Sequence, residues 1–339
     1  MRSTKCCVKT ARRGSPRRAG RFFLVCTVLA GSALSQETTL RSQANVVLVP
    51  ALVKDQQGVI VYGLQAQDFV VLDDGVEQPV RLDEAPEGQP VSLVVAIQRG
   101  GRAHYEFPRM RGLNSMLDPL FSQGTARFAM VEFDSQVELT RNFTKDSSLI
   151  AADLTNLQSG HGGAAILDAV SYSIDLLKQE PQERQRVLLL ISETRDHGSL
   201  AKIEDVVAAI GQANTLMYAL AFSPALSNIL DTARGTNKDE MHDGIDLQDL
   251  LFRVQQAMRK NVPSTIASMT GGEYELFATR KKFDLRMNDF TNHLHSRYLL
   301  SIAPKNPHPG LHQIQVRLKD PANGSVLARS SYWAEGNRQ

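Results

Sequence analysis

From Val91 to Met269 the chain alternates short apolar runs with segments of helical period, and few folds accept that pattern. The runs Leu93–Ile97, Arg127–Phe133, Arg186–Ser192 and Leu216–Phe222 are too short for buried helices and rich in Val, Leu, Ile and Phe. They predict strands covered on both faces. Between them, apolar spacing predicts helices over Pro108–Phe121, Ala164–Lys178, Ser199–Ala213 and Leu247–Met269. "QVELTRNF" (Gln136–Phe143) follows the second run directly and reads as its hairpin partner. Strand–helix alternation of this kind closes into an α/β, doubly wound and mostly parallel sheet with helices on both faces. Ligands of such sheets bind beyond the carboxyl ends of the strands, so the loops after these runs are the candidate site.

The flanks read differently. "NVVLVPALVKD" and "DFVVLDDGVEQPVRL" alternate apolar and polar residues around glycine-bearing turns, which predicts a small all-β module over Asn45–Asp83. Asp73 and Asp74 are adjacent carboxylates, but Asp74-Gly75 between β-rich runs reads as a hairpin turn. "EAPEGQP" (Glu84–Pro90) is a polar linker. The α/β region is assigned to 91–280 and a C-terminal helix with β strands to 281–334. That helix, around Phe283–Ser296, is expected to turn Leu285, Met287, Phe290 and Leu294 inward. His293 and His295 fall on alternate sides of it and make no site. The strands are "RYLLSIAP", "HQIQVRLKD" and "LARSSYWA", the last packed through Tyr332 and Trp333. Pro224–Ile245 is polar, charged and long for a loop, and is read as a surface insertion.

Eight of the 38 basic residues, and none of the 36 acidic ones, precede residue 36. They lead into "FFLVCTVLAGSALS" (Phe22–Ser35), a short apolar stretch ending in small residues. Residues 1–35 therefore read as a signal peptide, with a retained membrane anchor as the alternative; a span needs about 20 apolar residues. The expected location is secreted or periplasmic. Without that segment the net charge is −6, and no basic stripe is left to displace counterions from nucleic acid. Cys6, Cys7 and Cys26 all lie in the segment, so the mature chain has no thiol chemistry.

Several local patterns, in order, carry a resemblance: "VYGLQAQDFVVLDDGVEQPV", "GHGGAAILDAV", "VLLLISETRDHGS", "SMTGGEYELF" and "SRYLLSIAPKNPHPGLHQIQVRL". Together they resemble the von Willebrand factor type A domain, in the form found in secreted bacterial proteins. The resemblance implies a Mg²⁺ or Mn²⁺ site built from Asp-x-Ser-x-Ser after the first strand, a Thr in the second loop and an Asp after the fourth strand. A hard divalent ion wants such oxygen ligands and keeps a position for a partner's carboxylate. Carried over, the motif falls on Gln98, Gly100 and Arg102, or two residues earlier on Ala96, Gln98 and Gly100. The Thr falls on Ala164, and only the last acid survives, as Glu193 with Asp196 nearby. The resemblance thus implies a degenerate metal site and no bound metal or other cofactor. Asp at 98, Ser at 100 and 102 and Thr at 164 would restore the missing oxygens. Arg99 or Arg102 beside Glu193 would supply the positive charge of the ion; alternatively both point into water.

No nucleophile elbow, phosphate loop or dinucleotide fingerprint is present. Asp168 matches a position of the family read as structural. The function expected is a non-enzymatic protein-interaction or adhesion-type domain. It would bind a protein or cell-envelope component through the loops at 98–106, 160–164 and 193–199, with Arg99, His104, His161, Asp196 and His197 as candidate contacts. The alternative is a metal-dependent hydrolase or metal-binding protein in which His104, His161 and His197 join Glu193 around an ion that activates water.

Overall fold

The computed structural model describes residues 46–83, 89–122, 124–222, 247–305 and 307–335. The leader 1–35 with its cysteines, most of the 84–90 linker and the Pro224–Ile245 insertion lie outside the described residues. No described helix is long and apolar enough to cross a membrane.

In chain order the β segment begins with β1 (Val47–Lys54), β2 (Phe69–Asp73), β3 (Val76–Gln78) and β4 (Arg81–Asp83). Then follow β5 (Val91–Gln98), α1 (Leu113–Ser122), β6 (Arg127–Phe133), β7 (Val137–Thr144), α2 (Ser147–Thr155) and α3 (Ile166–Lys178). Next come β8 (Gln185–Ser192), α4 (Ile203–Gln212), β9 (Thr215–Phe222), α5 (Leu247–Lys260), α6 (Val262–Thr270) and β10 (Tyr274–Phe277). The chain closes with α7 (Arg280–Leu294), β11 (Tyr298–Ile302), β12 (Gly310–Leu318), β13 (Ser325–Ala328) and β14 (Ser331–Ala334).

The central sheet has six strands in the order β10-β9-β8-β5-β6-β7. All neighbours are parallel except the edge hairpin β6–β7. Every residue of β5 is buried, as an apolar run between two helical layers requires. Its alternate residues feed two cores. Val94 and Ala96 pack with α3, α4 and α6, whereas Leu93, Val95 and Ile97 pack with α1 and α7. The expected α/β class is observed.

Two helical expectations are corrected and one helix is added. The segment from Leu247 is two helices, because Asn261 caps α6 by accepting a bond from Ser264 N at 3.0 Å and Pro263 stands in its first turn, where proline is tolerated. In α7 the inward residues are Phe283, Met287, Phe290 and Leu294, while Leu285 is 53% exposed. Phe283 buries the larger ring, against Phe277 at 5.0 Å between centroids. Helix α2 carried too weak an apolar stripe to be read from sequence, although Asp146 caps it at Ser148 N.

The two ends of the chain meet in one β body. The first of its sheets runs β13-β1-β11-β4 and the second β14-β12-β2-β3, both antiparallel. Val49, Ala51, Phe69 and Val71 from the first segment share a core with Leu300, Ile302, Ile314 and Tyr332 from the last. The strands of 45–83 thus pair with those of 281–334, a pairing that leaves no local mark in sequence. Arg329 joins this body to the α/β unit. It is 7% exposed and donates to the carbonyls of Ser331 and of Gly211 on α4.

Candidate functional site

Three loops converge at the carboxyl ends of β5, β6 and β8. Each is held by backbone bonds. Arg99 N donates to Phe133 O at 2.7 Å, Gly160 N to Arg99 O at 2.9 Å and Gly101 N to His161 O at 3.1 Å. Ala164 and His197 exchange two backbone bonds of 2.9 and 2.8 Å. Asp196 Oδ1 accepts from Leu167 N and Ser199 Oγ, anchoring the start of α3. The Asp168 carboxylate accepts from Leu200 N and Ala201 N, the structural task expected of it.

Gln98 lies at the centre of this platform and is fully buried. Its amide nitrogen donates to Glu193 Oε1 at 3.0 Å and to Gly100 O at 3.3 Å, while its amide oxygen accepts from Glu193 N at 2.8 Å. Both ends of the amide are therefore engaged, and Glu193 is satisfied by a neutral partner. Gly100 has no room for a side chain: a Cβ there would stand 2.3 Å from Gly163 O and 2.6 Å from Asp134 Cβ. Ala164 is buried and offers no oxygen, and Arg102 is exposed. One carboxylate, already bonded, does not fit a six-coordinate Mg²⁺ or Mn²⁺.

Of the alternatives for Arg99, beside Glu193 or pointing into water, neither is observed. Arg99 instead lies among Glu132 (3.3 Å), Asp134 (3.5 Å) and Glu138 (2.9 Å). Glu132 and Glu138 are register partners across the β6–β7 hairpin, so two like charges face each other. The guanidinium relieves that repulsion. Asp134 went unrecognised in the sequence because Asp-Ser after a strand reads as a turn. Its side chain accepts from Gln136 N at 2.9 Å within the β6–β7 turn and from His161 N at 3.0 Å, bonding that turn to the loop at 160–164. Burial works against its ionisation, but these backbone bonds and Arg99 outweigh it and hold its pKa below the usual carboxylate range.

The loop histidines do not assemble with Glu193. His104 stacks on Tyr105 at 3.9 Å, whereas His161 and His197 are exposed and engage the platform through their backbones. Among the described residues, the one His/Cys/Asp/Glu group close enough to share an ion is Asp74, His308 and His312, in the β body. What the platform presents to solvent is Arg102, Arg195, His161 and His197, together with Tyr105 at 64% and Leu200 at 92% exposure. Both acids of the third loop, Glu193 and Asp196, are turned to internal bonds.

Residues 101–195 match the family model of the von Willebrand factor type A domain, over the part of the chain that builds this platform. Among curated proteins, none matches. Among solved structures, the von Willebrand domain of the type V pilus tip protein Mfa5 of Porphyromonas gingivalis is similar at 17% identity and TM-score 0.28, over 32% of this chain and 38% of that one. A point mutant of the PilB minor pilin of Streptococcus sanguinis is similar at 12% identity and TM-score 0.42, over 64% of each chain. The pilus adhesin SpaC of Lactobacillus rhamnosus GG is similar at 9% identity and TM-score 0.40, over 85% of this chain and 47% of that one. The chain thus spans less than two thirds of each of these structures.

Proposed function

We propose that the protein is a secreted or periplasmic, non-enzymatic interaction domain whose strand-end loops bind a protein or envelope component without a divalent ion. The observation that carries this reading is the Gln98–Glu193 lock, which commits the one carboxylate left for metal binding to an internal amide. A von Willebrand factor type A domain with its ion offers a positive centre to a partner's carboxylate. Here the same rim exposes the guanidiniums of Arg102 and Arg195, whose planar donor forks suit a carboxylate. Tyr105 and Leu200 place apolar surface beside them, the pairing of aromatic or aliphatic anchor with arginine that dominates protein interfaces. The favoured partner is a protein surface presenting carboxylates.

The test is a partner captured from cell-envelope extract by the mature chain, with its affinity then measured for loop variants. Arg102→Glu and Leu200→Asp are each expected to weaken it by about 30-fold, the effect of losing a hot spot of about 2 kcal/mol, without a change in melting temperature. EDTA should leave binding intact. Binding abolished by EDTA, or untouched by both substitutions, would refute the proposal.

A further inference from the structure

The β body holds a second constellation, remote from the strand-end loops. The Asp74-Gly75 turn is a tight hairpin with φ of 47° and 83° at its two residues, the left-handed pair that joins two strands most closely. The turn aims Asp74 at β12. Asp74 N donates to Gln313 O at 2.9 Å and Gln313 N donates to Asp74 Oδ1 at 2.8 Å. One carboxylate oxygen is thereby fixed, and the other, Oδ2, faces two histidines. His312 Nδ1 lies 2.7 Å from it and His308 Nε2 lies 3.4 Å from it.

His312 is 2% exposed and stacked between the rings of His308 (3.9 Å) and Tyr332 (4.7 Å). Its Nε2 is 2.7 Å from the carbonyl of His308. A carbonyl only accepts, so Nε2 donates there, and Nδ1 is the nitrogen turned toward the carboxylates. This is the outer-shell arrangement that orients metal-bound imidazoles. Nδ1 itself is buried with no aligned hydrogen bond, and so is Asp73 Oδ1, 3.5 Å away. The other oxygen of Asp73 accepts from Tyr332 Oη at 3.1 Å. The buried His312 Nδ1 and Asp73 Oδ1 and the Asp74 Oδ2 oxygen therefore converge on one spot, and Pro307 and Pro309 stiffen the chain on both sides of His308.

We propose that Asp74, His308 and His312 form a zinc site, with Asp73 Oδ1 beside it. Two imidazole nitrogens and a carboxylate oxygen are the donor set of a borderline divalent ion, not of Mg²⁺ or Ca²⁺. Ligand atoms around a tetrahedral ion with bonds of about 2.1 Å stand about 3.4 Å apart. The His308–Asp74 pair already has that separation at 3.4 Å; to admit the ion, the His312–Asp74 pair at 2.7 Å would open and the exposed His308 ring would turn out of its stack on His312, so that both ring planes meet at the metal. His308 and Asp74 have side chains 49% and 38% exposed, so the ion enters from solvent and keeps an open position. Bound there, it staples the β2–β3 hairpin of the first segment to the chain entering β12 of the last.

The experiment is titration of the chelator-treated mature chain with Zn²⁺ and, for its visible spectrum, Co²⁺. One ion per chain should bind, with a rise in melting temperature and the intense absorption of tetrahedral Co²⁺. His308→Ala, on an exposed loop, and Asp74→Asn, which keeps a residue tolerant of the left-handed turn, should each weaken binding by about 100-fold. His308→Ala should leave the melting of the metal-free protein within about 2 °C of the parent. The absence of saturable binding below about 100 μM Zn²⁺, or parent-like binding by either variant, would overturn the proposal.

Discussion

Gly100→Ser is expected to destabilise the protein by about 3 kcal/mol, the upper end of what overpacking costs in a well-packed core. The atoms its Cβ would meet are the Gly163 carbonyl at 2.3 Å and Asp134 Cα at 2.8 Å, both backbone, so no side-chain rotation relieves the clash. Urea unfolding should show a lower midpoint at unchanged slope. Arg102→Ser, on the exposed rim, should stay within about 0.5 kcal/mol of the parent. The resemblance places Gly100 where metal-binding von Willebrand factor type A domains supply a hydroxyl. Substituting Asp at 98, Ser at 100 and 102 and Thr at 164 together, which the sequence alone suggests would restore a metal site, should therefore yield an unstable chain rather than a metal-binding one. The loops have closed into the space that side-chain oxygens would need.

Glu273→Gln is expected to cost about as much, for an electrostatic reason. Glu273 Oε1 accepts from Lys54 Nζ at 2.7 Å and Oε2 faces His293 Nδ1 at 2.8 Å, with Arg297 Nη2 at 3.7 Å. One carboxylate thus ties β1 of the β body to α7 and to the chain before β11. Burial opposes its ionisation, but hydrogen bonds from His293 and Lys54 and their charges prevail and bring its pKa from 4.5 down to about 2. A depressed folded-state value means the carboxylate stabilises the fold fully above pH 4.5, and the contribution fades as pH falls toward about 2. At neutral pH it amounts to about 3 kcal/mol. Denaturant midpoints recorded from pH 7 to pH 2.5 should fall less steeply for Glu273→Gln than for the parent, the two curves converging in acid. Parallel curves would assign acid sensitivity to other carboxylates.

The strands of the α/β unit were legible because a strand buried on both faces must be apolar at every position, and β5, β8 and β9 are nearly so. The helix boundary at Asn261 was equally present in the chemistry of Asn-Val-Pro. It was overridden by an apolar period that continues across the break. Pairing between the chain ends was not legible, since β1 finds β11 some 250 residues away and antiparallel partners carry no complementary code beyond alternation. At the strand ends, the resemblance alone placed Gln98, Gly100 and Ala164, none of them a carboxylate or hydroxyl, at the positions of the ligand oxygens. What replaced those oxygens could not be seen: the amide of Gln98 reaches Glu193 only through the parallel register of β5 with β8. The motif left Arg99 either beside Glu193 or in water; the β6–β7 hairpin instead supplies three acids that hold it. Asp74 was read as a turn residue, and it is one; its second role depends on His312, which only the β2–β12 pairing brings beside it.

Metal independence of the strand-end platform is tested most directly by titrating the mature chain with Mg²⁺, by calorimetry and thermal unfolding together. An ion bound only to the native state at micromolar affinity would, at 1,000-fold excess over its dissociation constant, stabilise the fold by about 4 kcal/mol. With Gln98 locked to Glu193, no saturable heat and no rise in melting temperature are predicted up to millimolar Mg²⁺. Saturable micromolar binding that disappears in Glu193→Ala would contradict the proposal.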